Sequence, residues 1–177
     1  MRIKLHWTLA PLECRNFLEL CKAGYYDGNF VYQFVPGKYL VSGAPDPKHG
    51  NFGRSIYGPN GFKSEMTAKL AHTRAGVVGC WVAENRLNEN GSQFYVTFSP
   101  QEDFDGKLVI FGQVENLDIL AQLSKSDKTD KSHIPTQPFK IFGSLVTSDP
   151  WAGQALPVGA EIPEKVLVKE GNPCQLM

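Results

Sequence analysis

Asn90-Gly91-Ser92-Gln93-Phe94-Tyr95-Val96-Thr97-Phe98 decides the fold, because a polar turn here opens into a run of aromatic and β-branched residues. Such a run, bounded by turn residues, predicts a strand from Gln93 to Phe98. Working outward, Tyr25-Tyr26-Asp27-Gly28 and Ser55-Ile56-Tyr57-Gly58 stand upstream. Asp105-Gly106-Lys107 and Ile110-Phe111-Gly112 stand downstream.

The segments between these landmarks supply the other elements. Arg2 to His6 alternates, with Ile3 and Leu5 on one face of a short strand. Pro11 opens a helix at a position where its missing N–H costs nothing. Cys14, Phe17, Leu18 and Cys21 recur at three- and four-residue spacing along one face of that helix, and Gly24 ends it. Ala10 occupies the N-cap and forfeits about 1 kcal/mol relative to a hydroxyl residue. Phe30 to Val41 reads as two short strands around Pro36-Gly37. Lys69 to Val82 and Val109 to Val114 read as further strands, and Phe139 to Val146 as the closing one. Leu117, Leu120 and Leu123 form the apolar face of a second helix ending near Ser126. Many strands with only two helices predict an all-β, closed antiparallel barrel rather than an α/β sheet.

The order and spacing of these motifs resemble the cyclophilins, the barrel-shaped peptidyl-prolyl isomerases, over about residues 1–150. The resemblance implies an eight-stranded barrel capped by two helices. Cyclophilins begin with a hairpin whose second strand corresponds to the first strand here. Beyond the barrel, residues 151–163 form a Pro/Gly/Ala-rich linker, and residues 164–177 contain the strand-like Val166-Leu167-Val168. A circular permutation, with this C-terminal strand filling the slot of the family's first strand, would leave no barrel edge unpaired; the alternative is a disordered tail after a truncated barrel.

The family's catalytic arginine lies in a Phe-His-Arg-Val-Ile-Pro-Gly-Phe-Met-x-Gln-Gly-Gly-Asp motif. Anchored on Pro36-Gly37, the resemblance places Gln33 at the arginine position. With Lys38 taken as an insertion, Tyr39 falls on the floor phenylalanine, Leu40 on the methionine and Ser42 on the peptide-orienting glutamine. Ala83 keeps a small side chain, Glu84 replaces an asparagine, Gln93 is retained, and Tyr95 replaces the second floor phenylalanine. Asp103 stands where a tryptophan often closes the pocket, and Leu108 stands in place of a histidine. Tyr39, Leu40, Tyr95 and Phe104 are expected to form an apolar depression. Trp81 reads chiefly as a packing residue near the groove edge. Glu84 and Asp103 read as solvated charges, with an acidic groove favouring a basic partner as the sharper alternative.

Gln33 bears directly on activity. It donates a neutral hydrogen bond from a shorter, uncharged side chain, and exchanging a charge-assisted bond for a neutral one costs roughly 2 kcal/mol, or about thirtyfold in rate. The expectation is a peptide-binding module with little or no isomerase turnover. The alternatives are a slow but genuine isomerase, and a structural subunit of a nuclear complex such as the spliceosome. Cyclosporin-type binding is expected to be weak, since Gln33, Ser42 and Asp103 remove groups the family uses.

Global composition limits the other classes. Eighteen basic and eighteen acidic side chains cancel, so no broad attraction for nucleic acid arises. Apolar runs are far shorter than a membrane span, and no signal-peptide core precedes the first strand. Cys14, Cys21, Cys80 and Cys174 lack CxxC spacing and read as free thiols of an intracellular protein, cytoplasmic or nuclear. His6, His49, His72 and His133 are dispersed, so neither a metal site nor a cofactor is expected. The expected partner is a proline-containing peptide or protein, bound by a monomer or a member of a larger complex.

Overall fold

The computed structural model describes residues 1–44, 53–82, 89–125, 129–137 and 139–164. Six strands and two α-helices organise them: β1 (Ile3–Leu5), α1 (Pro11–Lys22), β2 (Gln33–Val35), β3 (Tyr39–Ser42), β4 (Val77–Cys80), β5 (Phe94–Thr97), β6 (Ile110–Val114) and α2 (Leu117–Leu123). The strands form one antiparallel sheet in the order β1-β6-β4-β5-β3-β2.

Local sequence accounts for the boundaries. Pro11 starts α1 behind an Ala10 N-cap that makes no side-chain capping bond. Pro36-Gly37-Lys38 forms the tight connection from β2 to β3, closed by the Lys38 N–H on the Val35 carbonyl at 3.0 Å. The strand expected over Lys69–Val82 is shorter: Val77–Cys80 pairs with β5 and β6, with backbone bonds extending it at Gly76 and Trp81.

The inner face of the sheet packs Phe34, Leu40, Val78, Phe94, Val96 and Phe111 against Cys14 and Leu20 of α1 and Leu120 of α2. Burying such side chains contributes about 1.5–3 kcal/mol each relative to exposure. The decisive turn is tied into this core. Asn16 on α1 donates to the Gly91 carbonyl at 2.9 Å and accepts the Ile56 N–H at 2.9 Å. Ser92 Oγ donates to the Gly43 carbonyl at 2.6 Å, and the Tyr26 hydroxyl donates to the Ser92 carbonyl at 3.1 Å.

The expected closed, eight-stranded barrel is corrected to an open six-stranded sheet among the described residues. The segment expected to close it pairs only briefly, through Val31 N–H to Phe139 O, Ile141 N–H to Asn29 O, Gly28 N–H to Ile141 O and the bridge Phe30↔Lys140. Beyond Ile141 the chain leaves the sheet. Ser144 bonds instead to Asp27 Oδ1 and to the Cys21 carbonyl, and Phe142 is left 95% exposed. Val166-Leu167-Val168, the strand assigned to the empty slot, lies outside the described residues. Residues 151–163, read as a linker, lie against α1: Arg15 donates to the Ala155 carbonyl at 3.2 Å and stacks over Trp151 at 5.2 Å. Arg15 is buried under this cover, whereas Glu13 is buried against Glu65 and Asn90, and Asn16 against Gly91 and Ile56.

Candidate functional site

Opposed residues of an antiparallel ladder share a face, and alternate residues switch faces. The pairings Gln33↔Val41, Val41↔Tyr95 and Tyr95↔Gly79 therefore set Gln33, Val41, Tyr95 and Gly79 in one row across the outer face. Tyr39, paired with Thr97, lies on the same face one step along the strand. The Trp81 N–H on the Gln93 carbonyl at 3.0 Å continues the ladder beyond β4, two residues past Gly79.

This face carries a second apolar cluster. Val41, Val77, Val82, Tyr95, Leu108 and Ile110 are buried, with Tyr39, Trp81 and Phe104 packed against them. Tyr39, Trp81 and Phe104 form a triangle of half-buried rings with centroid separations of 5.5, 5.3 and 6.1 Å. Beneath it lies Tyr95, meeting Trp81 edge to face at 6.2 Å and Phe104 at 5.5 Å. Tyr95 is 0% exposed.

The phenol of Tyr95 is held from below. Its ring crosses β4 at Gly79, where any Cβ would overlap Tyr95 Oη and the Val109 carbonyl. Its hydroxyl meets His72 Nε2 at 2.5 Å. His72 in turn sets Nδ1 2.6 Å and its backbone N–H 2.9 Å from Asp105 Oδ1. A carboxylate can only accept, so the imidazole proton sits on Nδ1 and Nε2 accepts the phenolic O–H. Burial lowers the His72 pKa, outweighing the opposing pull of Asp105, and the imidazole stays neutral near pH 7. The His72 bond lowers the Asp105 pKa, while burial raises that of Tyr95 well above the usual phenol range. Beside this chain, Glu65, Met66, Leu70, His72, Asp105 and Leu108 help line a cavity of about 400 Å³.

Of the residues expected in the groove, the structure brings together Tyr39, Tyr95, Phe104 and Leu108, with Gln33 two strands from Tyr95 in the same row and Gln93 paired to Trp81. Leu40 and Ser42 are corrected: they point to the other face. Leu40 joins the inner core between Phe34 and Val96, and Ser42 Oγ donates to the Phe30 carbonyl at 2.9 Å. Lys38 belongs to the turn rather than inserting into the strand, so Tyr39 and Val41 lie on the outer face in their stead. Asp103 is exposed on a single 3₁₀ turn, Glu102–Phe104, whose last residue enters the cluster. Ala83 and Glu84 lie outside the described residues.

Sequence reasoning missed Val41, Gly79 and His72, and gave Trp81 too small a part. Trp81 carried a usable signal: two residues beyond Gly79, strand alternation puts both on one face. His72 carried none, since its partners are 23 and 33 residues distant. Among the described residues no three His, Cys, Asp or Glu side chains converge to hold a metal. No described helix is long and apolar enough to cross a membrane.

With this geometry in view, comparison with known proteins assigns the family. Residues 1–144 match the family model described as cyclophilin type peptidyl-prolyl cis-trans isomerase. The chain is 37% identical over 145 residues to peptidyl-prolyl cis-trans isomerase CYP18-2 of Arabidopsis thaliana, covering 81% of this chain and 85% of that protein. It is 35% identical over 150 residues to the spliceosome-associated protein CWC27 homolog of Danio rerio, covering 84% of this chain but 31% of that longer protein. Among solved structures, a cyclophilin type isomerase of Cryptosporidium parvum, crystallised in the presence of the dipeptide Ala-Pro, superposes with a TM-score of 0.75 at 31% identity, covering 83% of this chain and 92% of that one. The open sheet, its outer aromatic face and the matched sequence thus lead to one assignment: this chain belongs to the cyclophilin-type peptidyl-prolyl isomerase family.

Proposed function

We propose that this protein is a cyclophilin-fold peptide-binding module that recognises proline-containing segments with little prolyl isomerase turnover. Rotation about a prolyl bond crosses a barrier of about 18–20 kcal/mol set by amide resonance. An enzyme lowers it by binding the twisted amide more tightly than the planar one. The observation that carries the reading is the row Gln33–Val41–Tyr95, in which a neutral amide stands where the family resemblance expects a guanidinium and the floor ring is wholly covered. Losing charge assistance removes about 2 kcal/mol of transition-state stabilisation, roughly thirtyfold in rate. A substrate that seats badly over the covered floor loses more.

A second reading, a slow but genuine isomerase, is favoured by the 37% identity to a relative named as one. Membership of a larger assembly draws support from the similarity to a spliceosome-associated homolog. The unpaired Cys14, Cys21 and Cys80 support an intracellular address, cytoplasmic or nuclear. Exchange NMR on a proline peptide, at catalytic protein concentrations, separates binding from turnover. Peptide shifts without accelerated cis–trans exchange are expected, and efficient exchange catalysis by the unaltered protein would sink the reading.

A further inference from the structure

The floor of a peptide groove should be open to the peptide, and here it is not. Tyr95 is 0% exposed although it lies on the outer face in the same row as Gln33. What covers it are rings of this chain. Trp81 enters the face one step beyond Gly79 yet reaches Tyr39, whose partner Thr97 lies one step to the other side of Tyr95. The indole and the Tyr39 ring, starting from opposite sides of the row of Tyr95, therefore meet across it. Phe104, at 5.5 Å from Tyr95, closes the remaining edge.

Two features make this a built arrangement rather than a loose surface ring. First, Tyr95 cannot rise to compete for the same volume, because its hydroxyl is held by His72, itself held by Asp105. Second, the Trp81 N–H is fixed to the Gln93 carbonyl, so its side chain starts from a defined place on the ladder. The indole itself is only half-buried and touches other rings, so it can leave by rotating about its side-chain bonds without breaking the sheet.

We propose that Trp81 is the specificity-determining residue of the groove: its indole fills the space over Tyr95 that a prolyl ring would take, and a proline peptide binds only by displacing it. This rests on the peptide-binding reading above and adds to it a self-occupied pocket. When only a fraction of molecules is binding-competent, apparent affinity falls by that fraction. An indole that is out in about a tenth to a hundredth of molecules thus weakens binding about ten- to hundredfold.

The test titrates the blocked peptide acetyl-Ala-Ala-Pro-Ala-amide, and its analogue with alanine for proline, into the wild-type chain, Trp81→Ala and Trp81→Val, followed by NMR. Both variants are expected to bind the proline peptide about tenfold or more tighter than wild type, with no such gain for the alanine analogue. Equal or weaker binding by the variants overturns the proposal while leaving the peptide-binding reading intact. No binding by any of the three proteins sinks both. If neither variant folds, wild type decides: nuclear Overhauser contacts between Trp81 and Tyr39 that vanish at peptide saturation support displacement, and contacts that persist in the complex overturn it.

Discussion

The phenolic oxygen of Tyr95 lies 2.5 Å from Nε2 of His72, and both residues are essentially sealed from solvent, at 0% and 1% exposure. A buried imidazole and a buried phenol each need a partner, and here each is the other's. Tyr95→Phe keeps the ring packing but strands Nε2, which costs about 1–3 kcal/mol. The urea midpoint should fall accordingly with an unchanged slope. An unchanged midpoint would mean that the bond adds nothing to stability.

Gly79 lies directly against the same phenolic hydroxyl. A Cβ there would overlap the Tyr95 hydroxyl and the Val109 carbonyl, and the carbonyl belongs to backbone that cannot turn aside. Gly79→Ala should therefore cost about 1–3 kcal/mol or more. Combining it with Tyr95→Phe should cost less than the sum of the two single changes, because the hydroxyl clash disappears. Strict additivity in chemical denaturation would contradict the close approach.

Glu13 gives the fold a pH dependence of unusual sign. Its Oε1 accepts the Glu65 N–H at 2.9 Å and an Asn90 Nδ2–H at 3.0 Å, while burial, with the Glu65 carboxylate nearby, pushes its pKa up to about 8. The folded protein then holds a proton that the unfolded chain releases near the ordinary carboxyl value of 4.5. The contribution is complete below that value, declines as pH rises, and is lost above about 8. Glu13→Gln mimics the protonated acid. Its melting temperature should exceed that of wild type at pH 8.5 and converge with it near pH 4.5, by about 2–4 °C per kcal/mol. Parallel melting profiles would refute the assignment.

His72 acts in the opposite sense. Its folded pKa is lowered, mainly by burial, so the neutral ring contributes above the ordinary value of 6.5 and the contribution is lost as pH falls through the lowered one. The stability difference between wild type and His72→Gln should shrink on acidification below pH 6.5, read from urea midpoints at stepped pH. A difference independent of pH would show that the ring does not titrate with folding.

Restoring turnover should need two changes. Gln33→Arg supplies the guanidinium but leaves Tyr95 covered, so kcat/KM should rise by less than about thirtyfold. Adding Trp81→Ala uncovers the floor, and the double variant should exceed the product of the two single effects. Full recovery in Gln33→Arg alone would show that the covered floor does not limit the reaction.

What the sequence determined by itself was local. Pro11 opened α1, the run of aromatic and β-branched residues from Phe94 to Thr97 made β5, and ordered motifs with Gln33 three residues ahead of Pro36 brought both the family and the altered groove into view. These follow from neighbours along the chain, where backbone geometry and side-chain period dictate the outcome. Register was different: treating Lys38 as an insertion shifted the strand by one residue and sent Leu40 and Ser42 to the wrong face, an error only the paired strands could correct. The hydrogen-bonded chain from Asp105 through His72 to Tyr95, and the indole of Trp81 laid over it, were decided by the tertiary structure alone. Such contacts join residues far apart in sequence, and which groups meet depends on how the sheet brings those strands side by side.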